Sequence, residues 1–387
     1  VKIVLSLLIG YLLGSILPAY FLVKAFVGVD VRNVGTKHAG TTNVYRIAGL
    51  CPAVVTAFYD TTKGVLAVQI SKAMGQSDFI ALLSGYFAVI GHIFPFYLQF
   101  RGGKGAATTV GLLLFFLWNT WLRFPVWWFL SDLFVLLSLV LVLLWSSRKG
   151  DVVGLFVLPA LGLLLSLRKV DHLWFLWVLV GTLWMINLRN VLEEKVIKLG
   201  EAGWRVLIRP SAFLLLFLGL KMEKEKFLLL VVIVFSIFLL ADISRLISRR
   251  IHRFFHEELE NRIYRSGERK KISSMTLFLL GVLLSFLLFE KEISFAAGCF
   301  LIFGDMTAKV VGVSFGRKRL FHKSFEGTMA AFAVNLFVAY AIFLSGLMDF
   351  LPVFLGSVVA TTCEVLPLSI DDNVSVPVFS SLVMNLF

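Results

Sequence analysis

Apolar runs close to twenty residues long follow one another down this chain, and no other feature restricts its fold so tightly. They occupy residues 3–27, 52–71, 78–98, 106–122, 125–146, 152–168, 172–188, 206–220, 226–241, 273–289, 293–313, 328–346, 351–367 and 374–387. A helix needs about 20 residues to cross the hydrocarbon core of a bilayer. Lipid offers no hydrogen bonds, so a crossing segment must pair its own backbone, and a run of this length does so as an α-helix. With 59% hydrophobic and only 16% charged residues, the 387-residue chain has too little polar surface to cover a water-soluble core. The first run, Ile3 to Val27, is too long for a signal sequence and no small-residue cleavage site follows it, so it reads as a spanning helix. The expected fold class is all-α, a polytopic membrane protein.

Charge in the loops sets the topology. Lys24 closes the first run and Arg32, Lys37 and Arg46 fall after it, Arg101 and Lys104 after the third, and Arg148 and Lys149 after the fifth. Arg189, Lys195, Lys198, Arg205 and Arg209 follow the seventh; Arg245, Arg249, Arg250, Arg253, Arg262, Arg265, Arg269, Lys270 and Lys271 form a polybasic stretch; Arg317, Lys318, Arg319 and Lys323 come later. All fall on one side by count, with Arg168, Lys169, Lys221, Lys224 and Lys226 as the minority. The positive-inside bias makes that side cytoplasmic and puts the N-terminus outside. The net charge of +13 therefore reflects topology and anionic lipid, not nucleic acid. A charged stretch at 189–204 interrupts the apolar runs and marks a boundary between two fused units, 1–200 and 201–387, of roughly seven spans each. The halves show no internal repeat. Cys51, Cys299 and Cys363 are scattered and suggest neither a disulfide framework nor a metal site.

In the first half the loop HIFPFYLQFRGGKGAATTVG, His92 to Gly111, places Gly102, Gly103, Lys104 and Gly105 between apolar runs. Backbone N–H groups freed by glycine, beside a compact ammonium, suit a phosphate. A tight turn with a snorkelling Lys104 is the plainer alternative. The loop before the second run, GTKHAGTTNVYR, offers Gly35, Gly40, the hydroxyls of Thr36, Thr41 and Thr42, the amide of Asn43, and His38, Lys37 and Arg46. Both loops lie on one side, so they can meet over one cavity. Asp60 and Lys63 sit three apart within a span, either serving the site or forming a structural ion pair.

In the second half Asp305 lies inside an apolar run, where a carboxylate marks an ion or metal role. Arg317, Lys318, Arg319, Lys323, Ser324, Glu326, Gly327 and Thr328 follow, and later Glu364, Asp371, Asp372 and Asn373. Carboxylates and an amide beside a basic, hydroxyl-bearing loop suit a magnesium–nucleotide, since Mg²⁺ takes oxygen ligands and shares substrate phosphates. Taken singly, the basic loop also fits positive-inside topology, and Asp371 to Asn373 also fits a helix cap.

The motifs GTKHAGTTNVYR, YDTTKG and GHIFPFYLQFRGGKGAAT, over about residues 1–200, resemble the bacterial acyl-phosphate:glycerol-3-phosphate acyltransferase family (PlsY type), whose members read GSxNxGATNxxR, DxxKG and GHxFPxFxxFxGGKGxAT. The resemblance implies acyl transfer from acyl-phosphate to glycerol 3-phosphate, giving lysophosphatidate, without coenzyme A or acyl carrier protein. It implies a phosphate held by Arg101, Gly102, Gly103, Lys104 and Gly105. Thr36, His38, Asn43 and Arg46 would act at the glycerol 3-phosphate and the carbonyl under attack, with Gly35, Gly40, Thr42, Asp60 and Lys63 lining the site and His92 orienting the loop. Thr36 and His38 depart from the family's serine and asparagine. The family's third motif, a His-Arg-Glu-Asn run, survives here only as Arg189 and Asn190.

Residues 200–387 resemble the CTP-dependent lipid kinases of dolichol, phytol and diacylglycerol, through GDxxAxxxGxxFGR from Gly304 to Arg317, KSxEGT from Lys323 to Thr328, Glu364, Asp372–Asn373 and Pro377, preceded by ADxxR at Ala241 to Arg245. This resemblance implies transfer of the CTP γ-phosphate to a lipid hydroxyl. Asp305, Glu364, Asp372 and Asn373 would hold Mg²⁺, and Arg317, Lys323, Ser324, Glu326, Gly327 and Thr328 would hold the nucleotide.

The expected protein is thus a bifunctional, multi-pass enzyme of the cell inner membrane, with active-site loops on the cytoplasmic face. Its partners are membrane lipids and small phosphorylated substrates. Two rivals remain: a lipid kinase with a decayed, lipid-binding acyltransferase unit, and a transporter of phosphorylated metabolites, whose usual inverted repeats are not apparent.

Overall fold

The computed structural model describes residues 1–197, 211–247 and 271–387. The expected boundary near residue 200 lies outside them, as do Lys198, Arg205, Arg209, Arg249, Arg250, Arg253, Arg262, Arg265, Arg269 and Lys270. The described chain is almost wholly helical. In the first half come α1 (Lys2–Ser15), α2 (Pro18–Val27), α3 (Thr41–Ala48), α4 (Leu50–Ala73), α5 (Asp78–Ile93), α6 (Ala106–Trp121), α7 (Val126–Ser147), α8 (Gly150–Leu167) and α9 (Leu173–Glu193). Then follow α10 (Ala212–Lys221), α11 (Lys224–Ile247), α12 (Ser274–Leu288), α13 (Lys291–Phe315), α14 (Phe325–Leu344), α15 (Phe350–Val365) and α16 (Asp372–Met384). Before α14, a two-residue antiparallel pairing of Arg319–Leu320 with Lys323–Ser324 is the one sheet among the described residues. Eight of the described helical stretches, α1 and α2 counted as one, are long and apolar enough to cross a membrane. The helix α4 is not one of them: its apolar run is interrupted by Asp60 and Lys63.

Backbone contacts divide the chain into two compact units, Val1–Leu130 with Gly154–Asn190, and Ser131–Val153 with Val191–Phe387. The split is not the simple cut that the sequence suggests, because most of α7 counts with the second unit.

In the first unit α1 lies along α5 with small residues at the seam. A Cβ on Gly10, Gly14 or Gly91 would run into the carbonyl oxygens of Ser84, Ala88 and Tyr11, respectively. Glycine is what lets the two backbones touch, and in lipid such close packing is the main attraction between helices. A small core of Leu17, Val23, Val31, Val44 and Leu98 sits beneath the loops and joins α2, the segment before α3 and the segment before α6.

In the second unit α13 is the central helix: 72% of its most apolar window is buried, against 17% for the lipid-facing α11. It packs against α10, α14, α15 and α16, around Phe278, Phe286, Phe300 and Leu301. The helix α7 runs beside α14. At one end the Tyr340 hydroxyl donates to Asp132 Oδ1 at 2.7 Å and lies 2.8 Å from Ser131 Oγ. At the other, Trp145 meets Phe325 edge-on, and Arg317 Nη2 donates to the carbonyls of Trp145 (3.3 Å) and Ser146 (3.1 Å). Asp132 is 2% exposed, so this carboxylate inside a span is held by protein and not by water.

Tyr340→Phe removes the hydroxyl from that contact while keeping the ring. It should lower the unfolding free energy by about 1–3 kcal/mol, read as a lower thermal midpoint of the detergent-solubilised protein. An unchanged midpoint would show that the Tyr340 hydroxyl does not help to hold α7.

Candidate functional sites

The first site is built around a break in the first span. α1 ends at Ser15, Ile16 is extended, and α2 starts at Pro18. In an unbroken helix the N–H of residue 18 would bond the carbonyl of Gly14, but proline has none to give. Lys63 of α4 supplies the missing donor: its Nζ lies 2.9 Å from Gly14 O and 3.2 Å from Ile16 O. The same ammonium lies 2.8 Å from Asp60 Oδ1 and 2.8 Å from His92 Nδ1 of α5. Asp60 and Lys63 are 1% and 0% exposed, with every Lys63 hydrogen engaged inside the protein. They form the buried ion pair that the spacing allows.

The glycine loop leaves α5 after Ile93. Tyr11 O–H bonds Phe94 O at 2.7 Å and Tyr97 O–H bonds Ser15 O at 2.8 Å, so both anchors go to α1. Gln99 and Phe100 are left-handed at φ 56° and 57°, a strained pair directly before the glycines. Gly102 N–H donates to Ile93 O at 3.0 Å and Gly103 N–H to His92 O at 3.1 Å. Here the expected phosphate cradle needs correction: these two N–H groups are spent inside the loop and do not face a ligand. Gly103 is required for another reason, since a Cβ there would meet His92 Nε2 and, at 2.7 Å, the Ala39 carbonyl oxygen of the first loop. Gly105 is left-handed (φ 80°) and caps α6, whose first-turn N–H groups have no helical partner and favour an anion. Lys104, partly exposed, sits at that helix start. Its Nζ donates to Asn190 Oδ1 of α9 at 2.6 Å.

The first loop is organised from within by Asn43, 1% exposed. Its Oδ1 accepts from Thr36 N–H (2.9 Å), and its Nδ2 reaches the carbonyls of Val31, Val34 and His38 at 2.9, 3.0 and 3.1 Å. Asn43 therefore shapes the loop, and the role at the substrate expected of it is not what the structure shows. Arg32 joins the two loops: its Nη1 donates to Leu98 O at 2.8 Å while Asp30 clamps its other nitrogens. The Arg32 guanidinium, bonded to the Asp30 carboxylate, holds that group below the usual carboxylate range. Thr36, Lys37, Thr42, Arg46 and Arg101 stay exposed and His38 partly so, with Gly35 and Gly40 in the same loop. The two loops and the end of α9 thus converge at one end of the unit, as the loop count requires.

In the second unit a cavity of about 410 Å³ is lined by Lys309, Arg317, Lys318, Arg319, His322 and Lys323, with Ser324, Thr328, Glu364 and the glycines at 312, 316 and 327. Glu326 is 3% exposed and does not line it. Its Oε2 accepts from the backbone N–H of Arg317 (2.9 Å) and Lys318 (3.2 Å), folding the basic loop over the start of α14. The expected nucleotide contact at Glu326 is thus a loop staple. Ser324 caps α14 by accepting from Gly327 N–H, and Thr328 Oγ1 donates back to Ser324 O. Lys323 Nζ bridges Glu364 Oε1 (3.3 Å) and Asp372 Oδ2 (2.9 Å). Burial alone would lower the Lys323 ammonium, but Glu364 and then Asp372 outweigh it and raise its pKa.

Of the four expected metal ligands, Glu364 and Asp372 converge on a single cationic point. Two carboxylates with substrate phosphates and water are a usual Mg²⁺ shell, so this pair fits the ion. Asp305 lies elsewhere, its Oδ2 accepting from Lys309 at 2.7 Å. Asn373 turns its amide nitrogen to Asp371 Oδ1 at 2.7 Å, and Asp371 caps α16, which is the helix-cap alternative realised. Among the described residues no three His, Cys, Asp or Glu side chains group as a metal site.

Two residues and one pairing escaped the sequence reading. Asn190 and Lys104 were each visible, but not their contact. Thr108, fully buried in the first turn of α6, has a hydroxyl with no partner among the described residues. His322 lines the basic cavity with no motif to announce it.

A family model described as glycerol-3-phosphate acyltransferase matches residues 4–195. The chain is 37% identical over 204 residues to glycerol-3-phosphate acyltransferase 1 of Deinococcus radiodurans, covering 51% of this chain and 96% of that protein. It is 39% identical over 204 residues to the glycerol-3-phosphate acyltransferase of Thermus thermophilus, covering 51% and 94%. It is also similar to the crystal structure of PlsY (YgiH), an integral membrane glycerol 3-phosphate acyltransferase in its glycerol 3-phosphate form, at 27% identity, 51% and 92% coverage, and a TM-score of 0.39.

Two loop glycines should behave oppositely. Gly103→Ala forces a methyl between an imidazole and a carbonyl and should destabilise by about 1–3 kcal/mol. Gly40, with φ −138° and open space around it, should accept alanine with no change in midpoint. Thermal unfolding of the two variants side by side checks both.

Proposed function

This chain belongs to the glycerol-3-phosphate acyltransferase family, and on that premise we propose that its first unit makes lysophosphatidate from acyl-phosphate and glycerol 3-phosphate. The observation that carries the proposal is Lys104, a partly exposed cation at the start of α6, facing Asn190 where the two loops meet. The glycerol hydroxyl attacks the acyl carbonyl, a C–O ester bond forms, and the bond from that carbon to the phosphate oxygen breaks. Inorganic phosphate leaves. Acyl-phosphate is already activated, so a phosphate oxygen takes the attacking proton and no nucleophile–histidine–carboxylate set is needed. Lys104 and the first-turn N–H groups of α6 stabilise the phosphate and the developing oxyanion. Arg46, Thr36, Thr42 and His38 face the acceptor, with Arg101 nearby. Asn43 and His92 act through the loops. The loops lie on the cytoplasmic face of the cell inner membrane.

The second unit is read as a CTP-dependent lipid kinase acting on diacylglycerol, a polyprenol such as dolichol, or phytol. What supports this is a basic cavity beside two converging carboxylates, in the motif context that resembles those kinases. Glu364 and Asp372 would hold Mg²⁺, which neutralises charge on the transferred phosphoryl group. Arg317 and Lys323 meet the phosphates. Asp305 holds Lys309 toward the cavity.

Purified protein should form lysophosphatidate with acyl-phosphate and not with acyl-coenzyme A, and Lys104→Ala should slow it at least ~100-fold. An unaltered rate in that variant would remove Lys104 from the site; a wild type inert with every acyl-phosphate would favour the decayed, lipid-binding unit. For the second unit, label from γ-labelled CTP should reach diacylglycerol, phytol or a polyprenol, and Glu364→Gln should abolish it. Preference for ATP, or release of pyrophosphate with a CDP-lipid product, would contradict the kinase reading.

A further inference from the structure

We propose that Lys63 is a positioning residue of the acyl-transfer site, acting on the glycine loop through the tautomer of His92. The inference rests on the acyltransferase reading above and adds to it a residue that never touches substrate.

An ammonium carries three hydrogens and no lone pair, so it only donates. The Lys63 Nζ lies 2.8 Å from His92 Nδ1, which must therefore accept. Asp60 Oδ1 competes for Nδ1 but lies at 3.4 Å, and a hydrogen on Nδ1 would collide with those of the ammonium. The neutral imidazole accordingly carries its hydrogen on Nε2. That nitrogen faces Gly103, at the place where the Ala39 carbonyl of the first loop also comes in. An N–H on Nε2 then lies against the Gly103 backbone, and the opposite tautomer would set a lone pair there. The backbone of His92 and Ile93 also holds the N–H groups of Gly103 and Gly102, so the ring and the loop move together, one residue from Lys104.

Lys63 has a second task that must be separated from the first, because its ammonium also satisfies two carbonyls at the break before Pro18. Pro18→Ala restores the N–H that Gly14 O lacks. The double variant Lys63→Met/Pro18→Ala therefore offers Gly14 O a backbone donor without restoring the donor to His92.

Nitrogen-15 spectra of histidine-labelled protein, with the His92 signal assigned by its loss in His92→Gln, should show protonated Nε2 and unprotonated Nδ1 in the wild type. Lys63→Met should shift that signal toward protonated Nδ1 and raise KM for glycerol 3-phosphate by about 10-fold or more, with kcat within about threefold. Adding Pro18→Ala should leave both the tautomer and KM altered. Recovery of wild-type KM in the double variant would reduce Lys63 to a structural lysine. A wild-type His92 protonated at Nδ1 would overturn the proposal with no variant needed, even if Lys63→Met fails to fold. Failure of the acyltransferase reading is distinguishable, since it appears as no lysophosphatidate from wild type while the tautomer is read independently of turnover.

Discussion

Inside a bilayer a backbone carbonyl without a partner has no water to turn to, and leaving it so costs several kcal/mol. Pro18 creates that situation in the middle of the first span, and the whole loop end of the first unit is arranged around its relief. The lysine that fills the gap needs a carboxylate, so Asp60 lies one turn away. Its remaining direction brings in His92. The imidazole then sits under the glycine loop, and α1 must lie close to α5 for its carbonyls and His92 to share Lys63 of α4. Gly10, Gly14 and Gly91 permit that approach. A break that looks like a defect in a spanning helix is the point from which the glycine loop is placed.

The second unit meets the same constraint with different chemistry. Several of its acids have a base or a backbone donor: Glu326 the N–H groups of the basic loop, Asp305 its Lys309, Glu364 and Asp372 their shared Lys323. Asp242 is treated alike, its Oδ2 accepting from Ser273 N–H at 2.8 Å and from Thr276 Oγ1 at 2.7 Å at the head of α12, while Oδ1 meets Arg245. The cluster around Lys323 differs in kind. There one lysine spans two carboxylates, whereas Glu326 is held by backbone N–H groups.

Much of this was legible in the residues. Every apolar run contains or overlaps a described helix, because a bilayer imposes the same length on each. Counting loops placed the two motifs of the first unit at one end, and Arg32 on Leu98 O and Gly103 beside Ala39 O realise that count. What the residues did not disclose is which atoms are already taken. Gly102 and Gly103 look like donors, yet their N–H groups turn back on Ile93 and His92. Asn43 looks like a substrate ligand, yet its amide serves the loop. Such assignments depend on which carbonyl lies within 3 Å after folding, and no period or spacing encodes that. The allegiance of residues 131–153 was invisible for the same reason: α7 is apolar on every face, and Asp132 marks its partner only once Tyr340 is in place.

That allegiance bears on how such a chain can be taken apart. The stretch matching the acyltransferase family runs to residue 195, so the segment of linear sequence shared with relatives contains a helix that the C-terminal half packs as its own. A gene cut between the halves would separate Arg317 from the carbonyls of Trp145 and Ser146, and Tyr340 from Asp132. Grafting the second half onto another scaffold requires carrying residues 131–153 along with it. The boundary of kinship and the boundary of packing fall in different places.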